Sequence, residues 1–445
     1  MAALPWEAAM AEFWRQLPAW AQDLSLLLLL LLPTGVMGVA VLRGFQLGPV
    51  LLGLLRRQVW ICAVFTALIA ISVGLGVGLI AQERGIRQGT ARAADKFDLV
   101  IAAPGSEITA MLAAVYLQAS DMTLIDGPTY DRIASHPDVQ LVAPIGFGDS
   151  WHDAPVVGTT PQFVTHLAGA LAEGRLFATE TEAVAGARVE IAVGGHFSPA
   201  HGVGHGAEAG AHGDFAYEVV GRMPLTGSPW DRALLVPVES VWSVHGLANG
   251  HAPDWDGTIG PPFDPAQFPG APAALVRATS LAATYGLQAE FSTRETMAVF
   301  PGTILARLHA LMGDIRQVMS VLAVITQVLV TAGVLAGLMM LTRLIARRLA
   351  LLRALGAPRR FVFALTWAFA VTLIVAGALL GLVIGVAATA AISAAITART
   401  DILVQAGLGW PELHMVAGFV SLTAVLALLP AFLTMNRPVI ADLRG

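Results

Sequence analysis

Five stretches of this 445-residue chain are apolar over about the length of a bilayer crossing. A spanning helix needs about 20 mostly apolar residues, because hydrocarbon offers no partner to an open backbone N–H or C=O. The stretches are Leu24–Leu42, interrupted by Pro33; Val59–Ile80, holding the only cysteine, Cys62; Gln317–Leu341; Phe361 to about 397; and Leu413–Met435. Only 13% of residues are charged, where a soluble domain carries about a quarter. The expected fold is therefore a membrane protein with an α-helical transmembrane bundle. One cysteine excludes an internal disulfide framework.

The second and third stretches are separated by a long interval of mixed composition, enough for one substantial folded domain. "FDLVIAA" (97–103), "VQLVAPI" and "APVVGTT" read as strands, and "YEVVGRM" and "ALLVPVESVW" continue the mixed pattern. Asp126 before Gly127-Pro128 reads as a helix start, and the glycine-rich piece 194–213 reads as a loop. The domain is expected to be α+β. In 303–318, Ile304, Leu308, Leu311 and Ile315 fall on one helical face that runs into the third stretch. That predicts a stalk continuous with the span, and "AQERGIRQGTARAADKF" after the second span is its candidate partner. A surface helix is the alternative reading of 303–318.

Charge orients the chain. Segments 43–58, 343–360 and 437–445 together hold eleven basic residues and one acid, whereas 82–317 holds 13 basic and 25 acidic residues. Basic residues near span ends collect on the cytoplasmic side. The three basic segments are thus expected inside, and the acidic domain and the 399–412 loop outside, an assignment that alternates correctly across four spans. The first stretch becomes an extra span with the N-terminus outside. A signal peptide or an over-extended start are the rival readings, and the former should have a basic leader where this chain has Glu7, Glu12, Arg15 and Asp23.

The expected organisation is an N-terminal extension with an extra span (1–45), an interfacial helix and span (46–81), the α+β domain (82–302), stalk and span (303–342), a cytoplasmic link (343–360), and the last two spans with a cytoplasmic tail (361–445). Within 46–60, "QLGPVLLGLLRRQVW" has an apolar face and paired arginines, as an amphipathic helix at the membrane surface should.

Much chemistry is absent. Lys96 is the only lysine and no GxxxxGK[ST] occurs, so nucleotide hydrolysis would belong to another chain. The span interiors carry no Asp, Glu, Lys, Arg or His, which argues against a pump or an ion-coupled transporter. Neither HExxH nor a nucleophile elbow is present, and Ser150, His152 and the scattered aspartates show no catalytic spacing. No enzyme activity and no nucleic-acid partner are expected.

The link 346–360, "ARRLALLRALGAPRR", holds five arginines and no acid. "RRLALLRALG" is expected to form a short helix, ended by Gly356 and Pro358, that turns leucines and arginines to the cytosol. Lipid phosphates are the alternative partner for that surface.

"RRLALLRALGAPRR" followed by a long apolar span is similar to the FtsX-like permease motif of ABC transporters. The closing "LLPAFLTMNRPVIADLRG" resembles that family's exit from the last span and its tail, on Pro430, Ala431, Pro438, Leu443 and Arg444. "FDLVIAAPGSEI", "VVGTT" and "MAVFPGTILARLHALMGDIRQV" look like the MacB-type outer domain and its return stalk. The resemblance covers about 46–445, with the FtsX-like part at 317–437. It implies a permease with four core spans and a periplasmic domain in the cell inner membrane. Such a permease would form a homodimer and bind a pair of separate ATPase subunits that carry ATP and magnesium. ATP-driven motion would then pass through the stalks to the outer domain, which acts on cargo or on a periplasmic partner protein. The ATPase-coupling residues implied are Arg347, Arg348, Leu352, Arg353, Leu355 and Gly356. The chain departs from the family where a glutamate is common near Leu349 and Ala350, and where an acid is common near Trp367 and Ala368. A non-transport signal transducer that activates a periplasmic cell-wall enzyme is the alternative function.

The loop "HFSPAHGVGHGAEAGAHGD" gathers His196, His201, His205 and His212. Neutral imidazole suits zinc, copper or nickel, so zinc capture is one reading and a solvated insertion the other.

Overall fold

The computed structural model describes residue 14 and residues 16–118, 120–201, 215–400 and 403–436. The chain divides into two compact units. One comprises 1–85, 315–393 and 406–445, and the other 86–314 with 394–405.

Three helices come first. α1 (Ala19–Leu42) runs unbroken through Pro33, α2 (Gly48–Arg57) is short, and α3 (Val59–Ala94) has 36 residues. A proline inside a helix removes one backbone donor and disturbs the carbonyls a turn before it. Here the Ser421 hydroxyl donates to the Leu30 carbonyl and Thr34 Oγ1 lies 2.9 Å from Ser421 Oγ, so a neighbouring helix supplies polar partners beside the distortion. The separate α2 matches the amphipathic helix expected there. α3 carries the second span onward as a continuous helix through the candidate stalk.

The second unit is α+β. Its elements are β1 (Leu99–Ala102), α4 (Glu107–Tyr116), α5 (Gly127–Ala134), β2 (Val139–Trp151), β3 (Ala154–Thr159), α6 (Pro161–Ala168), β4 (Glu173–Gly174), β5 (Glu182–Ala185), β6 (His196–Phe197), β7 (Ala200–His201), β8 (Tyr217–Arg222), β9 (Leu234–Pro237), α7 (Val238–Val244), β10 (Ala273–Ala278), α8 (Leu281–Phe291) and β11 (Met297–Val299). The strands form one sheet in the order β11-β1-β10-β2-β3-β9-β5-β8-β4, with β6 on β8 and β7 on β2. β2 joins its halves, since it pairs with β10 up to Ile145 and with β3 from Gly146, and an irregularity between Gly146 and Asp149 bends it between the two.

Local chemistry starts the helices. Side chains of Ser106, Asp126, Thr160 and Ser280 accept from the backbone N–H groups of Thr109, Thr129, Phe163 and Ala283. One core gathers Phe97, Phe163 and the fully buried Trp230, whose Nε1 donates to the Val115 carbonyl at 3.2 Å. A second, on the other sheet face, holds Tyr130, Trp242, Phe263, Phe268 and Phe291. "ALLVPVESVW" continues the mixed pattern as a strand and a helix that divide at Pro237. One expectation is corrected here: the glycine-rich loop contains the two-residue strands β6 and β7 before it leaves the described residues.

Four helices close the chain: α9 (Pro301–Ala354), α10 (Arg359–Thr400), α11 (Trp410–Leu426) and α12 (Leu428–Met435). α9 is a single 54-residue helix, which accords with a stalk continuous with its span. α1, α3, α10 and the α11–α12 run are long and apolar enough to cross a membrane, and the described apolar part of α9 is Gln327–Gly337. In the helical unit, α10 lies against α3 on Gly377, Gly381 and Gly385, four residues apart. A Cβ there would come within 2.6 Å of Ile69, 2.7 Å of the Ala70 carbonyl and 2.7 Å of Val77. Trp367 on α10 is buried and donates through Nε1 to the Ala424 carbonyl at 2.9 Å. Glu412, buried in the first turn of α11, accepts from Arg84 of α3 and from its own N-cap amide at Gly409, both at 2.9 Å.

Candidate functional site

The arginine-rich link is not a helix of its own. Its first part, through Ala354, is the end of α9 and its last two arginines open α10, a correction with a simple cause: nothing between Pro301 and Ala354 breaks the helix. The end itself is as expected. Gly356 adopts φ +101°, the left-handed conformation that glycine takes without strain. Its N–H reaches the Arg353 carbonyl at 3.1 Å, and the Ala357 N–H reaches back to the Leu352 carbonyl at 3.0 Å. This paired arrangement satisfies carbonyls that would otherwise be left open at the helix end. α10 begins two residues later, at Arg359.

The leucines divide by face. Leu349 is buried and Leu352 half-buried in a cluster with Leu47, Val50, Leu51 and Leu54 at α2 and Phe361, Val362 and Leu365 on α10. Phe45 meets Phe361 edge-on at 5.7 Å between ring centroids. The expectation that the link turns its leucines to the cytosol is thereby overturned for Leu349 and Leu352. The short link has a core because α2 folds beside it. Leu355 is 85% exposed and Leu351 50% exposed. Arg347, Arg359 and Arg360 are exposed, as are Arg56 and Arg57 on α2, while Arg353 is half-buried. The side chain of Arg348 lies outside the described part of the structure. No acidic residue occurs anywhere in 315–400. The structure thus brings together a packed helical corner, a small exposed leucine patch and a set of arginines. Sequence periodicity missed Leu351, and it could not have separated Leu352 from Leu355 without knowing that α2 covers one side.

The histidines of the glycine-rich loop are not gathered among the described residues. His196 is exposed on β6 opposite Glu218 of β8, whereas the His201 backbone pairs with Asp149 of β2. His205 and His212 lie outside the described residues. No group of three or more His, Cys, Asp or Glu suited to a metal occurs among the described residues. The tail residues Pro438, Leu443 and Arg444 also lie outside them.

No protein-family model matches this sequence, and no curated protein matches it either. Among solved structures, it is similar to the extracellular domain of the noncanonic ABC-type transporter YknZ from Gram-positive bacteria. Identity is 11% over 45% of this chain and 98% of that one, with a TM-score of 0.26, a likeness too slight to carry an argument about the site.

Proposed function

We propose that this chain is the permease subunit of an ABC transporter of the mechanotransmission type. It lies in the cell inner membrane with the α+β domain in the periplasm. A separate ATPase pair, which binds and hydrolyses ATP with magnesium, docks at the α2–α9–α10 corner, and two copies of this chain form the permease. The motion passes along α3 and α9, each of which runs without a break from the helical unit into the α+β unit. No ionisable group stands inside the spans, so cargo is moved or a partner activated at the outer domain. The histidine-rich loop is a further proposed feature, a zinc-capturing element of that domain.

The observation that supports this reading most is the exposed pair Leu351 and Leu355 at a rigid, arginine-bearing helix end. A partner protein that buried them would gain about 1.5–3 kcal/mol per side chain. The test is affinity purification from native membranes, with the co-purifying chains identified by mass spectrometry. The expected outcome is a P-loop ATPase that is lost from Leu351→Asp/Leu355→Asp while the mutant protein still inserts. Arg347→Ala is expected to weaken the contact less. Full retention of the ATPase by the double variant would leave the corner as a topology signal and remove the coupling role.

A further inference from the structure

Glu239, the second residue of α7, is a carboxylate with no solvent exposure. Its Oε1 accepts the Gly260 N–H at 2.6 Å and lies 3.2 Å from His251 Nε2. Among the described residues its Oε2 has no hydrogen-bond partner, and neither has the buried Tyr130 hydroxyl. The His251 imidazole is stacked on the Trp255 indole at 4.3 Å with 3° between planes, and Phe263 flanks it at 5.2 Å. His251, Trp255, Gly260 and Phe263 all belong to one segment, 246–270, which contains no helix or strand. An irregular stretch of that length inside a compact domain is uncommon and usually has a function of its own. Gly250, Gly257, Gly260 and Gly270 turn it with positive φ. Phe263 and Phe268 insert from it into the core that holds Tyr130 and Trp242. A single buried carboxyl group therefore fastens the segment to α7 at two points.

We propose that Glu239 and His251 form a proton-operated latch, which holds segment 246–270 closed while the pair retains one proton and loosens it when that proton leaves. With its proton Glu239 is neutral. Once the proton has left, a carboxylate remains in a site closed to solvent, beside the His251 ring. Among the described residues, two other titratable groups bear on the pair. Tyr130 on α5 stays un-ionised, because burial and the nearby Glu239 charge push its hydroxyl up. Asp256, within the segment, stays ionised, because bonds from Thr258 hold its carboxyl below the usual range. Neither supplies a cation to replace the lost proton. Burial accordingly raises the Glu239 carboxyl above the ordinary carboxylate range, against the opposing pull of its own bonds and of His251.

The sign follows from proton linkage. The closed form binds the proton more tightly than an open form with a solvated carboxylate. Closure is fully favoured below the ordinary carboxylate range and weakens as pH rises through the raised value of the closed pair. One proton in the linkage gives an opening equilibrium that grows by up to about tenfold per pH unit between the open-form value and that raised value, and levels off above it.

Hydrogen exchange on the detergent-solubilised full chain reads this directly. Rates are taken from about pH 4, near the ordinary carboxylate value, to about pH 9 and corrected for intrinsic exchange with peptides from β10 and α8 as internal reference. In the unmodified protein, corrected exchange in 246–270 is expected to rise with pH while the reference peptides stay level. Glu239→Gln keeps an acceptor for Gly260 and has no proton to lose, so its profile should be flat. A flat profile in the unmodified protein overturns the latch, even if the variant fails to fold. So does a rise shared by the whole domain, or a pH slope that survives in Glu239→Gln.

Discussion

At the scale of single residues, the legible features were those whose chemistry is local. Asp126 before a Gly-Pro pair reads as a helix start, and the structure has its carboxylate accepting from the Thr129 N–H at 3.0 Å. Those bonds hold the carboxyl below its usual range. A lowered carboxyl contributes stability above its unfolded value, about 3.9, and that contribution is lost as pH falls through the folded value. Asp126→Ala should therefore loosen α5 at neutral pH by about 1 kcal/mol, roughly a fivefold rise in amide exchange over 127–134. The difference between variant and parent should vanish in acid, where both lack the ionised cap. Gly356 was legible for the same reason, because a glycine and a proline two residues on end a helix whatever surrounds them. Leu352 and Glu239 were not. The first is half-buried because it joins a cluster with residues of α2 and α10, and the second is a carboxylate whose partner lies twelve residues on in an irregular segment. The family-like positions that lack an acid here, Leu349, Ala350, Trp367 and Ala368, are all buried, so this chain uses them for packing.

At the scale of elements, apolar run length located the four helices of the described residues that are long and apolar enough to cross a membrane, while the boundaries belonged to features that hydropathy does not see. The fifth stretch divides at Ala427 into α11 and α12, and the first runs straight through Pro33. What holds the bundle together is finer than hydropathy. Between apolar helices in lipid, association rests on close packing rather than on removal of water. The glycines at 377, 381 and 385 put the α10 backbone against α3, and Gly381 would drive a Cβ into the Ala70 carbonyl and Val73. Gly381→Ala is expected to destabilise the solubilised protein by about 1–3 kcal/mol, the usual effect of overpacking a tight contact. Gly333→Ala on α9, where a Cβ would meet nothing within 4 Å, is the matched control and should be neutral or slightly stabilising through higher helix propensity. Thermal aggregation in detergent compares the two. Equal midpoints would mean that the α3–α10 contact yields more easily than its geometry implies.

At the scale of the whole molecule, one charge asymmetry orients the chain, and composition carries it without any fold. The α+β class was legible because its strands and capped helices announce themselves locally. The order of the sheet was not, because β2 and β10 meet across more than a hundred residues and the bend in β2 depends on partners from both halves. Orientation in the membrane is the expectation that charge supports and helix packing leaves open. Translocating an arginine costs roughly 2.5–3.5 kcal/mol on insertion scales, and the basic segments concentrate theirs against almost no acid. Residues 343–360 should therefore stay inside, and the acidic α+β unit should face out. In a Cys62→Ala background, Asp254→Cys places a thiol on an exposed loop of that unit, and Leu355→Cys places one at the exposed end of α9. An impermeant maleimide added to intact cells is expected to label position 254 and not 355, and permeabilised cells should label both. Label at 355 in intact cells, with 254 protected, would invert the orientation. The docking of a cytosolic ATPase at the α2–α9–α10 corner would then be geometrically excluded.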